Sequence, residues 1–208
     1  MQIEREKKYR IDNFDKSVLA TLNTQPLHFN QYYLEMSDFV LAAIKYYHGA
    51  IAQNMAKEAR VRVIDTGRGT STCLFTVKSG GNLARSESEV MIPDGVAENL
   101  INNYAVGMIE KERYVYRTGL HIVEFNNFLD RDLVLAEIEY EGDVFTEEDI
   151  DEEMREVIGK LDPKAQVVDV TYDEAFKNKN LALPFEKQEV EEYDDEDDYE
   201  DDDEEVNE

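Results

Sequence analysis

A chain of 208 residues is long enough for one well-packed domain and leaves little for a second. Its 48 acidic residues against 22 Lys and Arg give a formal net charge of -26, which excludes a surface that wraps duplex nucleic acid. Cys73 is the single cysteine, so an intrachain disulfide is excluded and a reducing compartment is expected.

The opening MQIEREKKYR has no apolar signal-peptide core, and the longest apolar run, residues 39–44, is too short to span a bilayer. A cytoplasmic protein with no membrane partner is the expectation. Residues 3–11 read as a first strand, and Asp12 or Asn13 can cap a short helix ending near Leu22. Residues 27–34 look extended and aromatic. Ser37 caps a predicted helix with Val40, Ile44, Tyr47, Ile51 and Met55 at helical spacing, and Gly49 weakens it. This segment, about 35–58, is a long link between two strands; it either covers one mouth of a barrel or packs outside it.

Strands are predicted at 59–65 and 72–78, joined by a turn at Gly67 and Gly69, and at 83–92. Pro93 opens a short helix with Val96, Leu100, Ile101 and Tyr104 on one face. Residues 108–117 and 120–128 form a hairpin, and 133–140 the next strand. Thr146 with Asp149 marks the start of an acidic helix running to about Ile158. A short strand at 166–170 and a helix or turn at 173–183 follow. The expected domain is 1–185, an α+β barrel of roughly eight strands with helices in the connections.

Side chains two apart on a strand share a face. One face of nearly every predicted strand carries charge: Glu4, Glu6 and Lys8; Arg60 and Arg62; Lys78; Arg85, Glu87 and Glu89; Lys111 and Arg113; Glu124 with Asn126; Glu137 and Glu139. For any one strand, a solvated face with cross-strand ion pairs is the simpler reading. Seven segments sorted the same way favour a closed barrel with a polar interior. Six cations in that interior, Arg60, Arg62, Lys78, Arg85, Lys111 and Arg113, suit a polyphosphate anion. The Glu4/Glu6 and Glu137/Glu139 pairs supply the oxygen ligands preferred by Mg²⁺ and Mn²⁺.

These residues also resemble the signatures of a known family. Glu4-Arg5-Glu6-Lys7-Lys8 fits an ExExK opening, Gln31-Tyr32-Tyr33-Leu34 is similar to QGYL, and Arg60-Val61-Arg62 fits RxR. Thr76-Val77-Lys78 and Arg85 to Glu89 resemble TxK and RxExE. Lys111 to Tyr114 fits KxRY, Glu137-Ile138-Glu139 the late ExE, and Asn178 with Leu181-Ala182 the closing NxxLA. In order, from Ile3 to about Leu183, they resemble the CYTH superfamily, the triphosphate tunnel metalloenzymes, and most of all its short bacterial inorganic triphosphatases.

The resemblance implies an eight-stranded antiparallel tunnel and a metal-dependent triphosphatase acting on inorganic triphosphate or another triphosphate. A non-hydrolytic triphosphate- or nucleotide-binding module and a class IV-type adenylyl cyclase are the alternatives. It implies Glu4, Glu6 and Glu139 as ligands of Mg²⁺ or Mn²⁺, with Glu137 close behind. Lys8, Arg60, Arg62, Lys78, Arg85, Lys111 and Arg113 would bind phosphate, with Lys111 also placed among the catalytic residues. Tyr33 matches a tyrosine proposed there as proton acceptor, although a phenol's ordinary pKa near 10 argues against that role. Two positions depart from the pattern: Asn126 stands where an acid is usual, and Ala175-Phe176 where Arg-Tyr is usual.

The histidines at 28, 48 and 121 lack metal-ligand spacing and read as structural. Residues 186–208 hold 16 acids against one lysine, a composition expected to stay disordered. Such a tail solubilises the protein or meets a basic protein partner.

Overall fold

The structure, a computed structural model, describes residues 4–22, 24–65, 71–80 and 85–185. The turn expected at Gly67 and Gly69 and the acidic tail at 186–208 lie outside the described residues. Alternating sequence commits ten segments to strands among the described residues: β1 (Glu4–Asp12), β2 (Leu27–Leu34), β3 (Glu58–Asp65), β4 (Ser71–Gly80) and β5 (Arg85–Met91). They are followed by β6 (Ala105–Arg117), β7 (Ile122–Phe128), β8 (Leu133–Glu141), β9 (Gln166–Asp169) and the two-residue β10 (Leu183–Pro184). The sheet runs β5-β4-β3-β2-β6-β7-β8-β1-β9, with β10 on β6, and every pairing is antiparallel.

The eight longer strands expected from the sequence are β1 to β8, and the short strand expected at 166–170 is β9, which lengthens the sheet past β1. Among the described residues no ladder joins β5 to β9, so the sheet curls without closing through hydrogen bonds. The curl is deep. Glu6 on β1 acts electrostatically on Lys78 of β4, six strands away along the sheet.

Among the described residues four helices accompany the sheet: α1 (Asp38–Met55), α2 (Asp94–Tyr104), α3 (Glu147–Leu161) and the short α4 (Asn178–Leu181). The outward side chains of β3 and β4, among them Val61, Phe75 and Val77, bury α1 and α2 through Val40, Ile44, Ala97 and Leu100. The inserted segment therefore packs outside the barrel. Its helical period does not survive Gly49, whose φ of 89° is left-handed and kinks the helix. Ile51 and Met55, expected on the buried face, are 78% and 52% exposed as a result.

On the other side, α3 covers Tyr9, Val123, Phe125, Ala136 and Ile138. Thr146 and Asp149 form the capping box that the sequence suggested. The helix expected before Leu22 is instead a 3-10 stretch over Lys16–Thr21. Asn13, at φ 56°, sits in the left-handed region and cannot belong to an α-helix, and Asp15 caps the stretch by accepting from the Ser17 N–H. Lys7 breaks the apolar pattern of the outward face. It is buried under α3, where Asp151 and Asp169 hold its ammonium and Tyr9 donates to the same Asp151. Among the described residues no helix is long and apolar enough to cross a membrane.

Candidate functional site

The inward side chains of all eight long strands line one cavity of about 710 Å³. Strand geometry alone brings them there. The β1–β8 register sets Glu6 opposite Glu139 and Lys8 opposite Glu137, and β7 sets Glu124 opposite Glu137. Arg60 and Arg62 enter from β3, Lys78 from β4, Glu87 and Glu89 from β5, and Lys111 and Arg113 from β6. The segment from Val170 to Asn180 supplies the remaining wall. At one end the inward residues turn apolar: Tyr33, Ile109, Phe128 and Leu135 pack with Val170, Phe176 and Leu181 into a plug.

Carboxylates hold the cations in position. Arg60 and Lys78 both pair with Glu87, at 3.0 and 2.8 Å, and Arg62 reaches Glu89 at 3.3 Å. Lys8 pairs with Glu137 at 2.8 Å, and Arg113 bridges Glu124 and Glu137. Phe29, on the same face of β2, lies under both Arg62 and Arg113, with its ring centroid 5.4 and 5.3 Å from their guanidinium carbons. The carboxylates satisfy only part of each guanidinium. Arg60 Nε and Arg62 Nε are buried and have no hydrogen-bond partner among the described residues. Buried unpaired donors are costly, and a bound anion is the natural compensation.

The charges also shift one another. Burial and the neighbouring Arg113 push the Lys111 ammonium well below its ordinary value, with Lys8 and Arg60 adding to the effect. Burial and Arg60 push Arg62 down to about 10, and Lys78 falls for the same two reasons. Burial opposes ionisation of Glu137, yet Lys8, Lys111 and Arg113 outweigh it and hold the carboxyl well below its usual range. Burial raises the Tyr33 phenol in spite of Arg60 close by, and Gln31 donates to its oxygen. That phenol stays protonated near neutral pH.

Of the residues singled out from the sequence, Glu6, Lys8, Tyr33, Arg60, Arg62, Lys78, Lys111, Arg113, Glu137 and Glu139 all line this cavity. The side chains of Glu4 and Arg85 lie outside the described residues, and their backbones pair with Glu141 and Gly80. Among the described residues no group of three His, Cys, Asp or Glu side chains could hold a metal unaided. Glu6 and Glu139, paired across the ladder on the cavity wall, fit an ion that takes one or two carboxylates and completes its shell with substrate oxygens, as Mg²⁺ commonly does. Each histidine has a local partner: His28 meets Glu110, His48 meets Ser88 and His121 meets Glu153.

Sequence reasoning missed Phe29, although its parity matches Gln31 and Tyr33. Of the wall formed by residues 170–180, whose short turns carry no periodic signal, it singled out Ala175, Phe176 and Asn178 and missed the rest. Asn126, read from sequence as a lost charge, turns out to be a buried hydrogen-bonding bridge between Arg113 and Glu137.

No protein-family model matches the chain, and no curated protein does. Solved structures similar to it include the inorganic triphosphatase NE1496, at 21% identity and a TM-score of 0.48, covering 86% of this chain and 97% of that one. A conserved protein from Pyrococcus furiosus follows at 18% identity and 0.46, covering 78% and 94%. A candidate adenylate cyclase from Vibrio parahaemolyticus has 15% identity and 0.46, covering 76% and 86%. At such values the likeness adds nothing about activity, which has to be argued from the cavity itself.

Proposed function

We propose that this chain is a metal-dependent triphosphatase that cleaves the terminal phosphoryl group of inorganic triphosphate within the curled sheet. The observation that carries the reading is the convergence of Lys8, Arg60, Arg62, Lys78, Lys111 and Arg113 on one cavity facing the Glu6–Glu139 pair. A triphosphate carries about four negative charges near neutral pH, and enclosing it requires cations already in position. Arg60, Arg62 and Arg113 grip phosphate oxygens with paired N–H groups, while Lys8 and Lys78 act as point charges. Arg85, on the inward parity of β5, is assigned to the same set.

Mg²⁺ or Mn²⁺, bound by Glu6 and Glu139 with Glu4 on the same strand face, would neutralise charge and polarise the phosphate oxygens. The remaining requirements are positioning and electrostatics. Glu87, Glu89 and Glu124 keep the guanidinium groups oriented before substrate arrives. Tyr33, protonated and beside Arg60, acts as a hydrogen-bond donor and not as the proton acceptor. Lys111, the most buried of the cavity cations, stabilises charge that develops at the phosphoryl group.

A phosphate-release assay with inorganic triphosphate, ATP, thiamine triphosphate and 5′-triphosphorylated RNA tests this directly. Release from inorganic triphosphate with Mg²⁺ or Mn²⁺ is expected. No release from any of them sinks the enzyme reading, and tight binding without turnover identifies a binding module. Cyclic AMP formed from ATP would identify a cyclase instead.

Triphosphate binding is also expected to take up protons. Lys111 is depressed in the free protein, and a polyanion beside it raises its pKa, so the complex holds more protons than its parts. Affinity therefore falls as pH rises through the free-protein pKa of Lys111, with Lys78 contributing at higher pH. Calorimetry in buffers of different ionisation enthalpy reads this uptake. Lys111→Met should lose most of it, and equal uptake in both proteins would assign the protons elsewhere.

A further inference from the structure

Both oxygens of the Glu137 carboxylate are engaged by cavity donors. Its Oε1 accepts from Lys8 Nζ at 2.8 Å, and its Oε2 accepts from Arg113 at 3.2 Å and from Asn126 Nδ2 at 3.0 Å. Asn126 Oδ1 in turn accepts from Arg113 Nε at 2.9 Å. The chemistry fixes the orientation of this amide. Reversed, its NH₂ would face a guanidinium and its carbonyl a carboxylate, so both contacts would be repulsive. Asn126 is 1% exposed and Glu137 7% exposed, so water cannot readily replace these partners.

An ionised aspartate side chain in place of Asn126 could not make this arrangement. It could still accept from Arg113, but its second oxygen would face Glu137 Oε2 at about hydrogen-bond distance, with no proton between them. Two ionised carboxylates so close require a shared proton or a cation in addition to Arg113, whose single charge Glu124 and Glu137 already share. The asparagine amide supplies the missing donor hydrogen without adding charge, and so removes the need for an ion at that point.

We propose that Asn126 is a positioning residue that commits Glu137 to Lys8 and Arg113, so that this chain binds one divalent cation, at Glu6 and Glu139, and Glu137 is not a metal ligand. This rests on the metal-dependent reading above and sharpens it. It gives the two glutamates of the ExE pair opposite duties: Glu139 faces the metal, while Glu137 holds the phosphate-binding cations.

The test counts bound ions without relying on turnover. The full-length protein is titrated with Mn²⁺ and free Mn²⁺ is followed by electron paramagnetic resonance, at about 0.3 M KCl to screen weak binding by exposed acids. The native protein should bind one Mn²⁺ tightly, and Glu6→Gln should lose that site. Glu137→Gln should keep it with affinity changed by less than about tenfold, since Glu137 is not a ligand in this assignment and touches the site only through Lys8, which reaches Glu137 at 2.8 Å and Glu6 at 3.7 Å. Asn126→Asp should bind a second Mn²⁺, because the new carboxylate would join Glu137 and Glu124 in an oxygen-rich group around one ion. A second tight ion in the native protein, a single ion in Asn126→Asp, or tenfold weaker binding in Glu137→Gln would overturn the proposal. If the native protein bound no Mn²⁺ tightly, the metal-dependent reading itself would fall with it.

Discussion

Glu6→Gln is expected to reduce the turnover of triphosphate by about a thousandfold, with the chain still folded and triphosphate bound at least as tightly when metal is left out. Metal assistance at a phosphoryl group supplies several kcal/mol of transition-state stabilisation, and about 4 kcal/mol corresponds to three powers of ten in rate. Glu6 and Glu139 are the described carboxylates that face each other across the β1–β8 ladder on the cavity wall, so the substitution removes one of these two charges. Stability is little affected, because the Glu6 side chain is about half exposed and glutamine keeps its shape. Affinity for triphosphate measured without metal is preserved because the cavity loses a negative charge. A phosphate-release assay under saturating Mg²⁺, paired with calorimetric binding of triphosphate in the absence of metal, separates the two effects. Undiminished turnover in Glu6→Gln would remove Glu6 from the metal site and would leave Glu139 without its partner.

Parity made the site legible before any coordinates, because strand geometry leaves a side chain only two faces to choose from. Arg60 with Arg62 and Glu137 with Glu139 had to point the same way, and both pairs face the cavity. Parity is silent about position along the barrel. Tyr33, Ile109, Phe128 and Leu135 share the inward face yet form an apolar plug, which follows only once the register is known. Register itself joins residues far apart in sequence, as with Lys8 and Glu137, and no local pattern encodes it. The end of α1 escaped because one left-handed glycine rotates everything beyond it off the buried face. Lys7 escaped because its two aspartate partners come from α3 and β9, both remote in the chain. Asn126 shows the limit most clearly: its residue type announces a missing charge, while its use depends on a donor and an acceptor aimed at opposite neighbours.

Glu137→Ala should be the most destabilising single change in the cavity, because it strips a shared partner from cations that remain behind. Lys8 and Arg113 both pair with this carboxylate, and Lys111 interacts with it electrostatically. Removing one member of a buried ion pair costs about 3 to 5 kcal/mol, chiefly through the charge left uncompensated. For a domain of this size that is a fall in Tm of roughly 6 to 20 °C. The effect has a defined pH window. The folded carboxyl lies well below its usual range, so its contribution is complete above the unfolded pKa, near 4.3, and is lost as pH falls through the folded value. The two proteins should therefore converge in Tm in strong acid and differ most near neutrality. Triphosphate supplies the missing negative charge, so at saturation it should raise the Tm of Glu137→Ala by more than it raises that of the native protein. Thermal unfolding with and without triphosphate at several pH values checks each part. Equal Tm values near neutral pH would mean that water in the cavity solvates Lys8 and Arg113 as well as Glu137 does, and the barrel would then owe its stability to the layers under α1, α2 and α3 alone.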